Sequence, residues 1–267
     1  MSSSCSAPSL PRRLLGGRLA SGLAAGLAFC ACGRPHQALA AEPAQPPPPP
    51  GEPTTARSRA LEGGAALLQS QAPPNALDMY LNGFHFYADD LGRAVEAHHY
   101  CTHLSEELHQ CAIFDGPGAG ARLIGIEYIV SERLFRALPE AEKPLWHSHH
   151  FETTSGQLVM PGVPEAVETT VMRQLATTYG KTWHTWQVDR GDALPLGIPQ
   201  LMMGFTGEGQ LDPARLAARD QAAGLSSAGK RRARSDIPVP HVAPGANAWE
   251  SGETPQLALE RRRVRGR

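Results

Sequence analysis

Apolar residues crowd into the middle of this chain, at spacings of two and of four, and thin out toward both ends. Residues 81–87 are large and apolar or aromatic, interrupted at Gly83, and predict a first strand. Residues 98–103 and 108–114 are rich in Tyr, Thr, Cys, Ile and Phe and flank Ser105-Glu106-Glu107, which predicts a hairpin. Counting outward from Glu106 sets Cys101 opposite Cys111 and His103 opposite His109, and the period of two puts all four side chains on one face. Residues 115–120, with three glycines and Pro117, read as a loop. Residues 123–130 form a short apolar run ending at Ser131, a cap for a helix over 132–138.

From Val163 the period changes to that of a helix. Pro164 takes its first position, Glu165 and Glu168 its first turn, Val167, Val171 and Leu175 recur every four residues, and Gly180 marks its end. Residues 181–188 and 200–205 predict two more strands across the turn-rich stretch 189–199, and Asp212-Pro213 opens a last helix to about residue 222. Hairpin-like spacings without a strict strand–helix alternation predict an α+β fold, a mainly antiparallel sheet with a few packed helices in a single domain over residues 77–222.

The flanks carry too little apolar surface to offset their chain entropy. Residues 41–76, with Pro46 to Pro50, read as a Pro-rich disordered linker, and residues 223–267 as a disordered basic tail. The formal net charge of −1 hides an asymmetry: residues 77–222 hold 19 Asp and Glu against 10 Lys and Arg, while the tail carries Lys230, Arg231, Arg232, Arg234 and five arginines between Arg261 and Arg267. No aromatic residues interleave with those arginines, which argues against nucleic acid as a partner. Neither a phosphate loop nor a dinucleotide fingerprint is present, so nucleotide chemistry is disfavoured.

Residues 1–40 read as a signal or targeting segment: Arg12-Arg13, then the Ala-, Gly- and Leu-rich stretch 19–32, then Ala38-Leu39-Ala40 as a cleavage site. Export to a periplasm or to the outside follows, by a twin-arginine route or as a lipoprotein tethered near Cys30 or Cys32; a plastid transit peptide fits as well. In an oxidising compartment Cys101 and Cys111 are free to pair.

Candidate chemistry concentrates with histidine, nine of eleven lying between His85 and His184. In Trp146 to Glu152, His147 and His149 alternate onto one face and Glu152 follows close enough to reach back, a ligand set for a divalent transition metal such as zinc. The plainer account packs these histidines under Trp146. Cys101, His103, His109 and Cys111 offer a zinc site, a cross-strand disulfide, or two buried free thiols, and a slip of one residue scatters them. His98 and His99 beside Glu96, and His184 between Trp183 and Trp186, complete the candidates; no nucleophile elbow accompanies them.

The segments 81–87 (LNGFHFY), 96–101 (EAHHYC), 125–129 (GIEYI), 144–149 (PLWHSH) and 179–189 (YGKTWHTWQVD) resemble the oil body-associated proteins of plant seeds, in order from about Leu81 to Asp220. The resemblance implies a lipid-droplet or membrane-surface protein whose domain has no established catalytic activity. His98, His99, His147, His149 and His184 lie in the matching motifs, which implies a shared site, whereas a cleavable leader and His150 depart from the family's pattern. A lipid-droplet location then requires an uncleaved leader. Beside this non-enzymatic reading stand a metal-binding module or metal-dependent hydrolase using Glu152 as ligand or base, and a small domain binding an apolar ligand.

Overall fold

In a computed structural model of the chain, described over residues 50–238 and 241–266, the strands close into a six-stranded antiparallel barrel. The expected leader lies outside the described residues. Two helices, α1 (Ala56–Leu68) and α2 (Ala72–Asn75), precede the barrel, and neither has a buried residue. The stretch expected to be a disordered linker is therefore partly helical, though it contributes nothing to the core.

Strand β1 (Met79–Tyr87) pairs with β2 (Asp90–Ser105), β2 with β3 (Leu108–Phe114), and β3 with β4 (Leu123–Ser131). After α3 (Glu132–Arg136), the two-residue β5 (His147–Ser148), α4 (His150–Ser155) and α5 (Glu165–Leu175), β6 (Thr178–His184) pairs with β4. Strand β7 (Gln200–Met203) then joins β6 to β1 and closes the ring. Helices α6 (Pro213–Ala223) and α7 (Ser227–Ala233) follow. The fold is α+β as expected, with seven α-helices among the described residues.

Local rules account for most boundaries. The Ser131 hydroxyl accepts from Leu134 N and starts α3, and the Asp212 carboxylate accepts from Ala214 N and starts α6. The expected hairpin register holds, with Cys101 facing Cys111 and His103 facing His109, and the two cysteines form a disulfide rather than free thiols or a zinc site. Several boundaries differ: β2 begins at Asp90, well before the expected residue 98, Pro164 is the N-cap of α5 and not its first residue, and α5 stops at Leu175 with Gly180 inside β6, which ends at His184. The helix period breaks at Thr177-Thr178, where the chain turns to pair with β4 and β5, and Gly180 serves a packing need instead of ending a helix.

Inward-facing positions form three layers. Tyr87, Val95, Ile113, Ile124 and Met202 fill one end. At the other, Leu81, Cys101, Cys111 and Ile129 meet Met172 and Leu175 of α5, which closes that end. Between the two lies a belt of imidazoles and carboxylates. The outer face of β1 is buried too, Phe84 and Phe86 packing with Leu201, Phe205 and Leu211, so β1 reads as a nearly continuous apolar run.

The stretch expected to be a disordered basic tail is built into the structure as far as Gln256. Arg234 is fully buried, Nη1 donating to the Thr153 and Leu158 carbonyls at 2.7 and 2.8 Å and Nη2 lying 2.9 Å from Glu168 Oε1. The Asn247 side chain accepts from Ser148 N at 2.8 Å and donates to Ser148 Oγ at 3.0 Å, pinning β5. Overall apolar content was a poor guide to this segment, because a few residues anchor it: Arg234 and Asn247 by hydrogen bonds, and Ile237, Ala243 and Trp249 by packing on the core.

Candidate metal centre

The polar belt is organised around Glu127, which is 2 % exposed in the barrel interior. Strand β4 is inverted relative to an ordinary sheet strand: Ile126 and Tyr128 point outward and are partly exposed, while Glu127 points inward. Each carboxylate oxygen is faced by two imidazoles. Oε1 lies 3.1 Å from His149 Nε2 and 3.5 Å from His147 Nε2; Oε2 lies 3.0 Å from His99 Nε2 and 3.9 Å from His85 Nε2. His85 and His99 approach each other at 3.3 Å through Nε2, and His85 Nδ1 lies 3.3 Å from His184 Nε2. Glu152, delivered by the first turn of α4, groups with His147 and His149, their ligand atoms all within 4.8 Å of one another.

The backbone is shaped to this cluster. A Cβ on Gly180 would collide with the Glu127 carboxylate and come within 2.7 Å of His149 Nε2, and one on Gly204 would come within 2.9 Å of both the Glu152 carboxylate and the His147 ring. A cavity of about 10 Å³ open to the centre of a water-sized sphere adjoins His85, His99, Glu127, His149 and Glu152, room for about one water molecule.

Hydrogen bonds outside the cluster set its tautomers. The Thr178 hydroxyl donates to the Leu175 carbonyl at 2.7 Å, so it accepts from His149 Nδ1–H at 2.8 Å. A neutral His149 then turns a bare Nε2 lone pair toward Glu127 Oε1, so the 3.1 Å approach calls for positive charge there, either a proton on Nε2 that the ring donates to the carboxylate or a metal ion between the two. His147 is fully buried with neither ring nitrogen hydrogen-bonded, and His99 Nδ1 and His184 Nδ1 also lack partners. Unpaired buried nitrogens of this kind cost free energy unless a ligand engages them.

The electrostatics are divided between the two acids. Burial pushes the Glu127 carboxyl up, but hydrogen bonds from His149 and His99 outweigh it and hold the group well below the usual carboxylate range. Burial, and then the charge of Glu127, push the Glu152 carboxyl well above that range. Burial pulls His147 and His184 down to about 3 each, so both rings are neutral and free to ligate near pH 7.

Of the residues expected at a metal site, His99, His147, His149, Glu152 and His184 come together. His98 does not, because neighbours on a strand face opposite ways: its Nδ1 lies 2.7 Å from the Tyr80 hydroxyl and 3.3 Å from Asn82, on the outside of the barrel. His85 and Glu127 belong to the cluster and were not among the expected residues. The sequence does carry one sign of Glu127, an acid alternating with Ile126 and Tyr128 in an otherwise apolar strand.

Residues 71–238 match the family described as "Protein of unknown function (DUF1264)". The chain is 53% identical over 204 residues to oil body-associated protein 1A of Zea mays, covering 76% of this chain and 86% of that protein. This chain belongs to the oil body-associated protein family. It is also 44% identical to oil body-associated protein 1B of Arabidopsis thaliana, covering 86% of this chain and 92% of that protein. Oil body-associated protein 2B of Zea mays follows at 42% identity, with 78% and 84% covered. No solved structure matches.

Proposed function

We propose that this member of the family is a non-enzymatic, metal-binding protein of the lipid-body surface, with a divalent transition metal held by His147, His149, Glu152 and Glu127 Oε1. The observation that carries the metal is the convergence of buried His147, His149 and Glu152, their ligand atoms within 4.8 Å of one another beside Glu127 Oε1, with neither His147 ring nitrogen hydrogen-bonded. Two imidazoles with two carboxylates suit zinc, iron or manganese, and an ion there neutralises both acids and engages one of the two unpaired His147 nitrogens. The small cavity beside the cluster suits a water-sized ligand and speaks for a bound ion over hydrolysis of a bulky substrate.

Elemental analysis of the chain purified without an affinity tag tests this. At least one equivalent of transition metal per chain is expected, with about one equivalent fewer in His149→Ala; a metal-free parent that stays so after incubation with zinc removes the reading.

The lipid-surface location rests on the names of the relatives. It is also supported by α1, where Leu61, Leu67 and Leu68 are exposed together with Arg57 and Arg59. Among the described residues no helix is long and apolar enough to cross a membrane, so attachment would be at the surface. Flotation with phospholipid-coated triacylglycerol droplets should recover the full chain and lose most of it when residues 56–68 are deleted. Recovery of none of the full chain counts against the location.

A further inference from the structure

The site just proposed uses one oxygen of Glu127 and leaves the other facing two imidazoles. We infer that Glu127 bridges two metal ions and that His85, His99 and Glu127 Oε2 form a second metal position. This rests on the first position being real, since the carboxylate is shared.

Three distances carry the argument. His99 Nε2 lies 3.0 Å and His85 Nε2 3.9 Å from Glu127 Oε2, and the two nitrogens are 3.3 Å apart. A point equidistant from these three atoms lies about 2 Å from each, which is the length of a zinc–imidazole or zinc–carboxylate bond. A hydrogen-bonded cluster would need both Nε2 atoms protonated and donating to the one oxygen, with their two hydrogens crowded by the 3.3 Å separation of the nitrogens. The outer nitrogen of His85 offers a way to keep its Nε2 bare. His85 Nδ1 lies 3.3 Å from His184 Nε2, and the tautomer that donates from Nδ1 to His184 leaves the lone pair on His85 Nε2 pointing inward.

A four-coordinate ion cannot serve the whole belt. Zinc takes four ligands, whereas His85, His99, His147, His149, Glu127 and Glu152 offer six. The four imidazoles divide by which Glu127 oxygen they face, His147 and His149 on Oε1 and His85 and His99 on Oε2. A carboxylate bound through both oxygens holds two ions about 3.5–4 Å apart. The cavity beside the cluster admits about one water, room for the aqua or hydroxo ligand that completes such a pair and lowers its net charge. Gly180 matters here as well, since any Cβ at that position would displace the bridging carboxylate.

The test is stoichiometry. The full chain is stripped with a chelator, reloaded with Co(II) or Zn(II), desalted and analysed for metal per chain. Two equivalents are expected in the parent. One is expected in His85→Ala and in His99→Ala, each checked by circular dichroism for an intact fold, and the di-Co(II) protein should give a spin-coupled magnetic signal. One equivalent in the parent overturns the second position and leaves the first standing; none overturns both. Two equivalents without magnetic coupling, or two persisting in folded His85→Ala, place the second ion elsewhere and overturn the bridge. The parent's stoichiometry and coupling decide the matter even if both variants fail to fold.

Discussion

Glu127 and Glu168 are both enclosed in this fold, and they are treated in opposite ways. Glu168 of α5 meets permanent cations, with Arg234 Nη2 2.9 Å from Oε1 and Lys230 on Oε2, and it accepts from Met160 N at 2.8 Å. Glu127 meets only imidazoles, whose charge depends on pH and whose nitrogens are turned inward by Thr178 and His184. Arginine keeps its proton at any ordinary pH, so the Glu168 pair is fixed architecture joining α5 to α7 and the residues after it. Imidazole gives up its proton to a metal, so the surroundings of Glu127 are suited to an exchangeable cation. Burial by itself is common to both acids and distinguishes neither; the chemistry of the partner does.

The sharpest way to break this comparison is to remove each acid in turn. Glu168→Ala strands the buried Arg234 guanidinium and should cost about 3–5 kcal/mol in chemical denaturation, with or without chelator. Glu127→Gln in chelator should stay within about 1 kcal/mol of the parent, because neutral imidazoles can hydrogen-bond to an amide. Equal losses in the two variants would mean that Glu127 is architectural after all.

A finer cut is Thr178→Val, which leaves every candidate ligand in place and removes only the acceptor of His149 Nδ1–H. Metal affinity, measured by competition against a fluorescent chelator, should fall about 10–100-fold. An unchanged affinity would show that the tautomer is not held from outside the cluster.

The smallest effect is acid sensitivity of the metal-free protein. Burial, with His99 adding to it, pulls His98 from 6.5 to about 4, and burial with His103 does the same to His109. The unfolded chain takes up these protons near pH 6.5 and the folded chain only near 4, so between those values the unfolded state binds more protons. The stability these rings contribute is complete above about pH 6.5 and is lost as pH falls toward 4, and His98→Gln should flatten part of that slope in thermal melts. A parent melting temperature that does not change between pH 7 and 4 would contradict the burial of both rings.

How much of this was legible beforehand varies with the range of the interaction. The β2–β3 register followed from counting around Ser105-Glu106-Glu107, because a short turn dictates which residues face each other. The separation of His98 from His99 follows from strand alternation alone, yet treating the pair as one motif concealed it. Glu127 was harder, since its meaning comes from partners on β1, β2, β5 and the start of α4, between 20 and 42 residues away. The C-terminal segment was misread because its order depends on Arg234 and Asn247 reaching carbonyls and amides on distant loops, and composition cannot register that.

Local periodicity, capping and turn length were enough to determine strands, helices, one hairpin and the crowding of histidine into a single stretch of chain. Closure of the barrel decided which of those histidines share an interior and which carboxylate they surround. The reason is geometric: inward and outward faces alternate along every strand, but which inward positions become neighbours is set by pairings between strands far apart in sequence, here β4 with β6 and β7 with β1.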